Sequence, residues 1–252
     1  MKKILPILSL IVFITAGVEA QKPATLVDSA NKLYSEGQYG EAINAYKQLL
    51  DQGYESPGIY YNLGNAYYKT NQLAPAILNY ERARVRDPGN EDIQHNLELA
   101  RSQITDRIEN IPDFFITRWI NQWINLFSSD IWAIISMVAF IAFLALFSVY
   151  LYSMRMGLKK SGFWIGLLAL AIAIASFVFA SQQKQEVVNN DQAIVFAPKV
   201  TVKSSPAESG TNLFVLHEGT KLLIEDNMGD WHKIRLSDGS EGWLRKISVE
   251  PI

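Results

Sequence analysis

Long uncharged stretches alternate along this chain with segments of clear periodicity, and each pattern predicts a different element. Residues 4–14 are almost wholly apolar behind Lys2 and Lys3, and Val18-Glu19-Ala20 sets small residues on either side of Glu19. A basic start, an apolar run of about ten residues and a small-residue cut site predict a secretory signal over 1–20, with an uncleaved anchor as the alternative. Residues 131–154 carry no charge, and neither do residues 161–183. A span needs about 20 apolar residues to cross about 30 Å of hydrocarbon, so both stretches predict transmembrane helices. Between them, Arg155-Met156-Gly157-Leu158-Lys159-Lys160 predicts a basic loop over 155–160. Ahead of the first span, Phe115, Trp119, Trp123 and Phe127 recur every four residues, with Ile116, Ile120 and Ile124 on the neighbouring row. That spacing predicts an amphipathic aromatic helix within 111–130, starting at Pro112. It is expected to lie in the outer membrane interface; packing against the hairpin or a partner's membrane helix is the alternative.

The polar region before it repeats itself. The segment from Gly37 to Tyr46 aligns with that from Asn71 to Tyr80 at an offset of 34 residues, bringing Ala42 onto Ala76, Ile43 onto Ile77 and Tyr46 onto Tyr80. Tyr60, Leu63, Gly64, Tyr67, Ala76, Tyr80, Ala83 and Pro88 stand where the tetratricopeptide pattern expects them, and 34 is that family's period. The resemblance implies an all-α solenoid over 21–110, with units at about 23–56 and 57–90. Gly64 and Ala76 are small where helices cross closely, and Pro88 cannot continue a helix. The first unit departs from the pattern, with Ala30, Leu33 and Tyr54 in place of Gly64, Tyr67 and Pro88. Ile93, Leu97, Ala100 and Ile104 predict a cap helix over 91–108. Two and a half units are few for a stable stack, so the array is expected to lean on a cap, the membrane or a partner.

In such an array the first helix of each unit lines a groove. Tyr61, Asn65 and Tyr68 lie at i, i+4 and i+7 opposite the packing face, and Val27, Asn31 and Tyr34 share that spacing. Amides and phenols in a groove suit an extended peptide; ordinary solvent-facing positions are the other reading. Some family members clamp a terminal carboxylate with two Asn and several cations. Asn31 and Asn62 match that clamp, but Val27, Asp92 and Asn96 stand where its cations belong, so carboxylate capture is not expected.

Past residue 183 the period shortens to two. Short runs at 192–196, 200–203, 213–216, 221–225, 231–236 and 242–245 are separated by Ser205-Pro206, Glu218-Gly219, Asn227–Asp230 and Asp238-Gly239. They predict an all-β unit over 190–252, the size of a small barrel. Its order of motifs, Val200-Thr201-Val202-Lys203-Ser204-Ser205-Pro206, then His217-Glu218-Gly219, then Gly229-Asp230-Trp231, then Gly242-Trp243-Leu244, resembles the bacterial SH3 family. Those modules recognise cell-wall peptides or protein segments. Trp231 and Trp243 are expected either to plug the barrel ends or to touch a ligand.

Charge and composition sharpen this division. Lys and Arg number 23 against 25 Asp and Glu. Residues 21–112 hold nine against twelve and residues 185–252 seven against ten, whereas residues 113–184 hold five against two. Acidic flanks match phosphate backbones poorly, so no nucleic acid is expected. The basic loop is expected in the cytoplasm by the positive-inside rule, which sends both ends of the hairpin to the other side. Cysteine is absent, which removes disulfides, thiolate metal sites and cysteine nucleophiles. His95, His217 and His232 are the three histidines and form no metal-ligand spacing; His217-Glu218 reads as surface. With no phosphate loop, dinucleotide turn or nucleophile elbow, no enzyme activity, cofactor or metal is expected.

The whole order of modules resembles the tetratricopeptide membrane proteins of the Bacteroides-type aerotolerance group, encoded beside von Willebrand A-domain proteins and a MoxR-type ATPase. That resemblance implies a two-pass protein of the bacterial cytoplasmic membrane, with repeats and SH3-like barrel in the periplasm. It implies a scaffold in envelope or oxidative-stress tolerance, whose partners are membrane proteins of one complex, von Willebrand A-domain proteins among them. Peptidoglycan, bound by the barrel, is the alternative ligand.

Overall fold

A computed structural model of the chain describes residues 21–108, 114–188 and 191–252. The expected signal over 1–20, and Pro112 and Asp113 ahead of the aromatic helix, lie outside the described residues. The chain divides after Tyr54 into two compact units.

The first unit contains the helical hairpin α1 (Gln21–Ser35) and α2 (Tyr39–Asp51). Ala42, Ile43, Tyr46 and Leu49 are buried on one face of α2, as the helical period dictates. α1 stops because Gly37 takes φ +78°, letting its own N–H reach Tyr34 and the N–H of Gln38 reach the Leu33 carbonyl.

The second unit opens with α3 (Pro57–Lys69), α4 (Leu73–Arg86) and α5 (Glu91–Arg101). The same stop recurs 34 residues on: Asn71 has φ +59°, and the N–H groups of Asn71 and Gln72 reach the carbonyls of Tyr68 and Tyr67. Asparagine is the non-glycine residue best able to sit there. Ser56 caps α3 by accepting from the N–H of Ile59, with Pro57 opening the helix. α3 and α4 cross at Gly64, where a Cβ would stand 2.7 Å from the Tyr80 ring. α5 ends at Arg101, shorter than the cap helix expected to 108, and Ile104 packs from beyond its end. Continuing the helix would carry Asp106 away from three donors on the C-terminal sheet, described below.

α6 (Phe115–Ile124) precedes two long helices, α7 (Ser129–Tyr152) and α8 (Met156–Val188), both long and apolar enough to cross a membrane. Their contact is lined by small residues: Gly162, Gly166, Ala173 and Ser176 are buried in α8, and Ser136 Oγ donates to the Ala173 carbonyl at 2.9 Å. Bulky side chains such as Ile134, Met137, Leu168 and Phe177 point outward. The stretch expected as a loop, 155–160, is mostly the first turn of α8, because the connection needs only the three residues between Tyr152 and Met156.

The C-terminal part is an antiparallel sheet of seven strands, β1 (Gln192–Val195), β2 (Lys199–Lys203), β3 (Asn212–His217), β4 (Lys221–Met228), β5 (Trp231–Arg235), β6 (Glu241–Arg245) and β7 (Val249–Pro251). The order is β3-β2-β6-β5-β4-β1-β7. β7 was not legible as a strand: three residues ending in proline show no alternation, and only pairing with β1 defines it. Ala193, Val195, Val202, Leu216, Leu222, Ile234 and Leu244 form the core. Between Ala193 and Val195, Ile194 points the other way and is buried among Ile77, Leu97 and Ala100 of the helices. One strand thus belongs to two cores.

Candidate protein-binding surfaces

In the second unit, α3 presents Tyr61, Asn65 and Tyr68 along one face, all half-buried. The Oδ1 of Asn65 accepts from the Tyr80 hydroxyl at 2.7 Å and from Asn96 Nδ2 at 2.9 Å. Asn96 Nδ2 also donates to the Tyr61 hydroxyl oxygen at 2.9 Å, and Gln103 Nε2 donates to that of Tyr68. In the first unit the Tyr46 hydroxyl donates to Asn31 Oδ1 at 2.6 Å, the same contact 34 residues earlier. Tyr34 packs edge-on against Tyr39, ring centroids 5.2 Å apart. Each asparagine therefore has a structural task that its spacing did not reveal: its carbonyl ties the first helix of a repeat to the buried tyrosine of the second. On α3 and α5 this leaves the amide N–H groups of Asn65, the carbonyl of Asn96 and the hydroxyl protons of Tyr61 and Tyr68 to meet a ligand. Asp92 and Leu99 flank them and are exposed. Neutral donors and acceptors of this kind match the N–H and C=O groups of a peptide.

On the sheet, Trp231 and Trp243 are half-buried and outside the core cluster. Pairing explains their shared face. Trp231 sits opposite Arg245, and Trp243 opposite Lys233 and Lys203, so both tryptophans alternate with the inward Ile234 and Leu244. The Arg245 guanidinium lies 5.6 Å from the Trp231 ring centroid. Lys233 bridges Glu225 at 2.9 Å and Glu241 at 2.8 Å on the same side. The buried core cluster of the sheet is aliphatic and includes neither tryptophan. His232 Nδ1 is buried without a partner; burial, reinforced by Lys246, pushes its pKa down.

Two polar clusters join the sheet to α4 and to the segment after α5, and neither was visible in the sequence. Glu81 of α4 is fully buried and meets Lys221 Nζ of β4 at 3.0 Å, Arg84 Nε at 3.0 Å and the Arg101 guanidinium. Burial would raise its pKa, but the charges of Lys221, Arg84 and Arg101 outweigh burial and hold it at about 2. Lys221 does not gain equally. It loses water and competes with two arginines for one carboxylate, so burial pushes its ammonium below the usual lysine range. In the second cluster, Asp106 accepts from the backbone N–H of His217 and the hydroxyl of Thr220, both at 2.7 Å, and faces His217 Nδ1 at 2.8 Å. These bonds overcome the opposing effect of burial and lower the Asp106 pKa. His217, read as plain surface, is part of this clasp.

Comparison with known families falls on the helices. A TPR repeat model matches residues 30–71 and a tetratricopeptide repeat model matches residues 57–90. A search of curated proteins finds no match to the chain. The 34-residue recurrence of the asparagine–tyrosine bond and of the left-handed helix stop is the physical counterpart of those matches, and residues 30–90 carry tetratricopeptide repeats.

Proposed function

We propose that the protein is a membrane-anchored scaffold whose repeats hold protein partners on the periplasmic side of the cytoplasmic membrane, in an envelope or oxidative-stress assembly of the aerotolerance type. The observation that carries this reading is the union, in one chain, of tetratricopeptide repeats with two helices long and apolar enough to cross a membrane. Repeat stacks offer extended concave surfaces for other proteins. The cations of Arg155, Lys159 and Lys160 at the hairpin tip favour a cytoplasmic tip, which leaves repeats and sheet outside. The reading assigns the chain no catalytic step; membrane proteins of the same complex, including von Willebrand A-domain proteins, are its partners.

A second reading rests on the outward face of β5 and β6. Trp231 and Trp243 on one face, outside the core, suit an SH3-like barrel that grips peptidoglycan or another envelope ligand. One set of purifications separates the two. Full-length protein, its Tyr61→Ala/Tyr68→Ala variant and its Trp231→Ala/Trp243→Ala variant are solubilised mildly, then assayed for co-purifying membrane proteins and for sedimentation with purified cell-wall sacculi. The scaffold reading expects partners with the wild type, lost from the tyrosine variant while that variant keeps its helical circular dichroism. Sacculus binding lost only from the tryptophan variant, with no partner recovered, would replace it.

A further inference from the structure

α6 is ten residues long, and Ile124 is its one buried residue. Helices shorter than about 12–15 residues are marginal in water unless an apolar face is packed against something. At 100° per residue Phe115, Trp119, Trp123, Ile116 and Ile120 cover one side, while Thr117, Arg118 and Asn121 share the other. The apolar side is bare among the described residues: Phe115 is 70% exposed, Trp119 60% and Trp123 49%. What covers it follows from where the helix is held. Gln183 Nε2 donates to the carbonyls of Ile124 at 2.6 Å and Phe127 at 2.8 Å, and Trp132 Nε1 donates to the Ile124 carbonyl at 2.9 Å. Residues 161–183 are uncharged and, at 1.5 Å per residue, reach about 34 Å, just beyond the hydrocarbon thickness of about 30 Å. Gln183 therefore marks the depth at which α8 leaves the hydrocarbon, and α6 is bonded to that point.

We infer that α6 is an in-plane lipid anchor, its Phe115/Trp119/Trp123 face sunk into the headgroup boundary of the leaflet on the side of the repeats. This rests on α7 and α8 spanning the membrane. Tryptophan and phenylalanine on one face, with polar residues opposite, is the composition that binds such a boundary. The bonds from Gln183 and Trp132 supply what a free surface helix lacks: a fixed depth.

The absence of cysteine makes site-directed labelling direct. Nitroxides are placed singly on the full-length chain at Trp119→Cys, Ile120→Cys, Thr117→Cys and Asn121→Cys, with Val138→Cys of α7 as reference, in phosphatidylethanolamine/phosphatidylglycerol vesicles. The expected result is severalfold stronger relaxation by oxygen than by a water-soluble nickel chelate at 119, 120 and 138, reversed at 117 and 121. Chelate access at 119 and 120 with oxygen access at 138 would overturn the anchor and leave the spans standing. Access by neither reagent at 119 and 120 would overturn it in favour of a protein covering. Chelate access at 138 would remove the span reading and the anchor with it.

Discussion

Glu81 has exchanged water for three cations, and its energetics follow from that exchange. Its carboxyl lies at about 2 in the folded chain against 4.5 when unpaired. A depressed carboxylate contributes stability in full above the unfolded value and loses it as pH falls through the folded one. The shift corresponds to about 3 kcal/mol, an upper figure because the lowered pKa of Lys221 subtracts from it. The helix–sheet junction is therefore expected to weaken between pH 4.5 and about 2, with Asp106 adding to the effect in the same direction. Near-ultraviolet circular dichroism against pH reads this directly. Glu81→Gln should flatten that acid limb and lower stability at neutral pH by about 3–5 kcal/mol, since it leaves buried cations uncompensated; an unchanged limb would place the acid sensitivity elsewhere. Asn65 makes a similar point with a neutral group. Asn65→Ala removes the bond from the hydroxyl of Tyr80, a residue 1% exposed, and should cost about 0.5–1.5 kcal/mol in denaturant unfolding. A loss of partner binding in that variant is thus no proof of contact.

At the scale of elements, the short repeat array is completed from within the chain. α5 begins a third unit, but the place of its second helix is taken by the face of the sheet beside its β7 edge, with Ile194 of β1 buried among Ile77, Leu97 and Ala100. The Arg82 guanidinium donates to the Pro251 carbonyl at 2.7 Å at the same edge. The expected cap helix is thus present but ends at Arg101, and a strand packs beside it. Ile194→Ala should cost about 2–5 kcal/mol and speed hydrogen exchange in α4 and α5 as well as in β1. Loss of protection in the sheet alone would mean that the sheet does not cap the repeats. Gly89 shows a second closure, since a Cβ there would lie 2.7 Å from the Leu126 carbonyl, so the loop after α4 rests on the connection between α6 and α7.

Across the whole molecule, local regularity was legible and long-range pairing was not. The repeat period, the helical hairpin of apolar residues, the aromatic row of α6 and six of the strands each declare themselves within a window of ten to thirty residues, because burial imposes a period of 3.6 or 2 on neighbouring positions. Glu81 and Lys221 stand 140 residues apart, and Asp106 and Thr220 stand 114 apart. A charged residue inside α4 looks like any solvated one until its partner is known. The same holds for Asn31 and Asn65, whose spacing marked a surface but whose carbonyls turn toward Tyr46 and Tyr80.

What the sequence determined by itself is the list of parts: repeats, an aromatic helix, two long apolar helices and an all-β end, each written as a periodicity that any one window reveals. What only the tertiary structure decided is how the parts of the second unit close on one another. β1 serves two cores, two carboxylates gather donors from distant strands, and Gln183 bonds the end of α6 to the end of α8. Those contacts are set by three-dimensional complementarity between single residues, which leaves no period along the chain to be read.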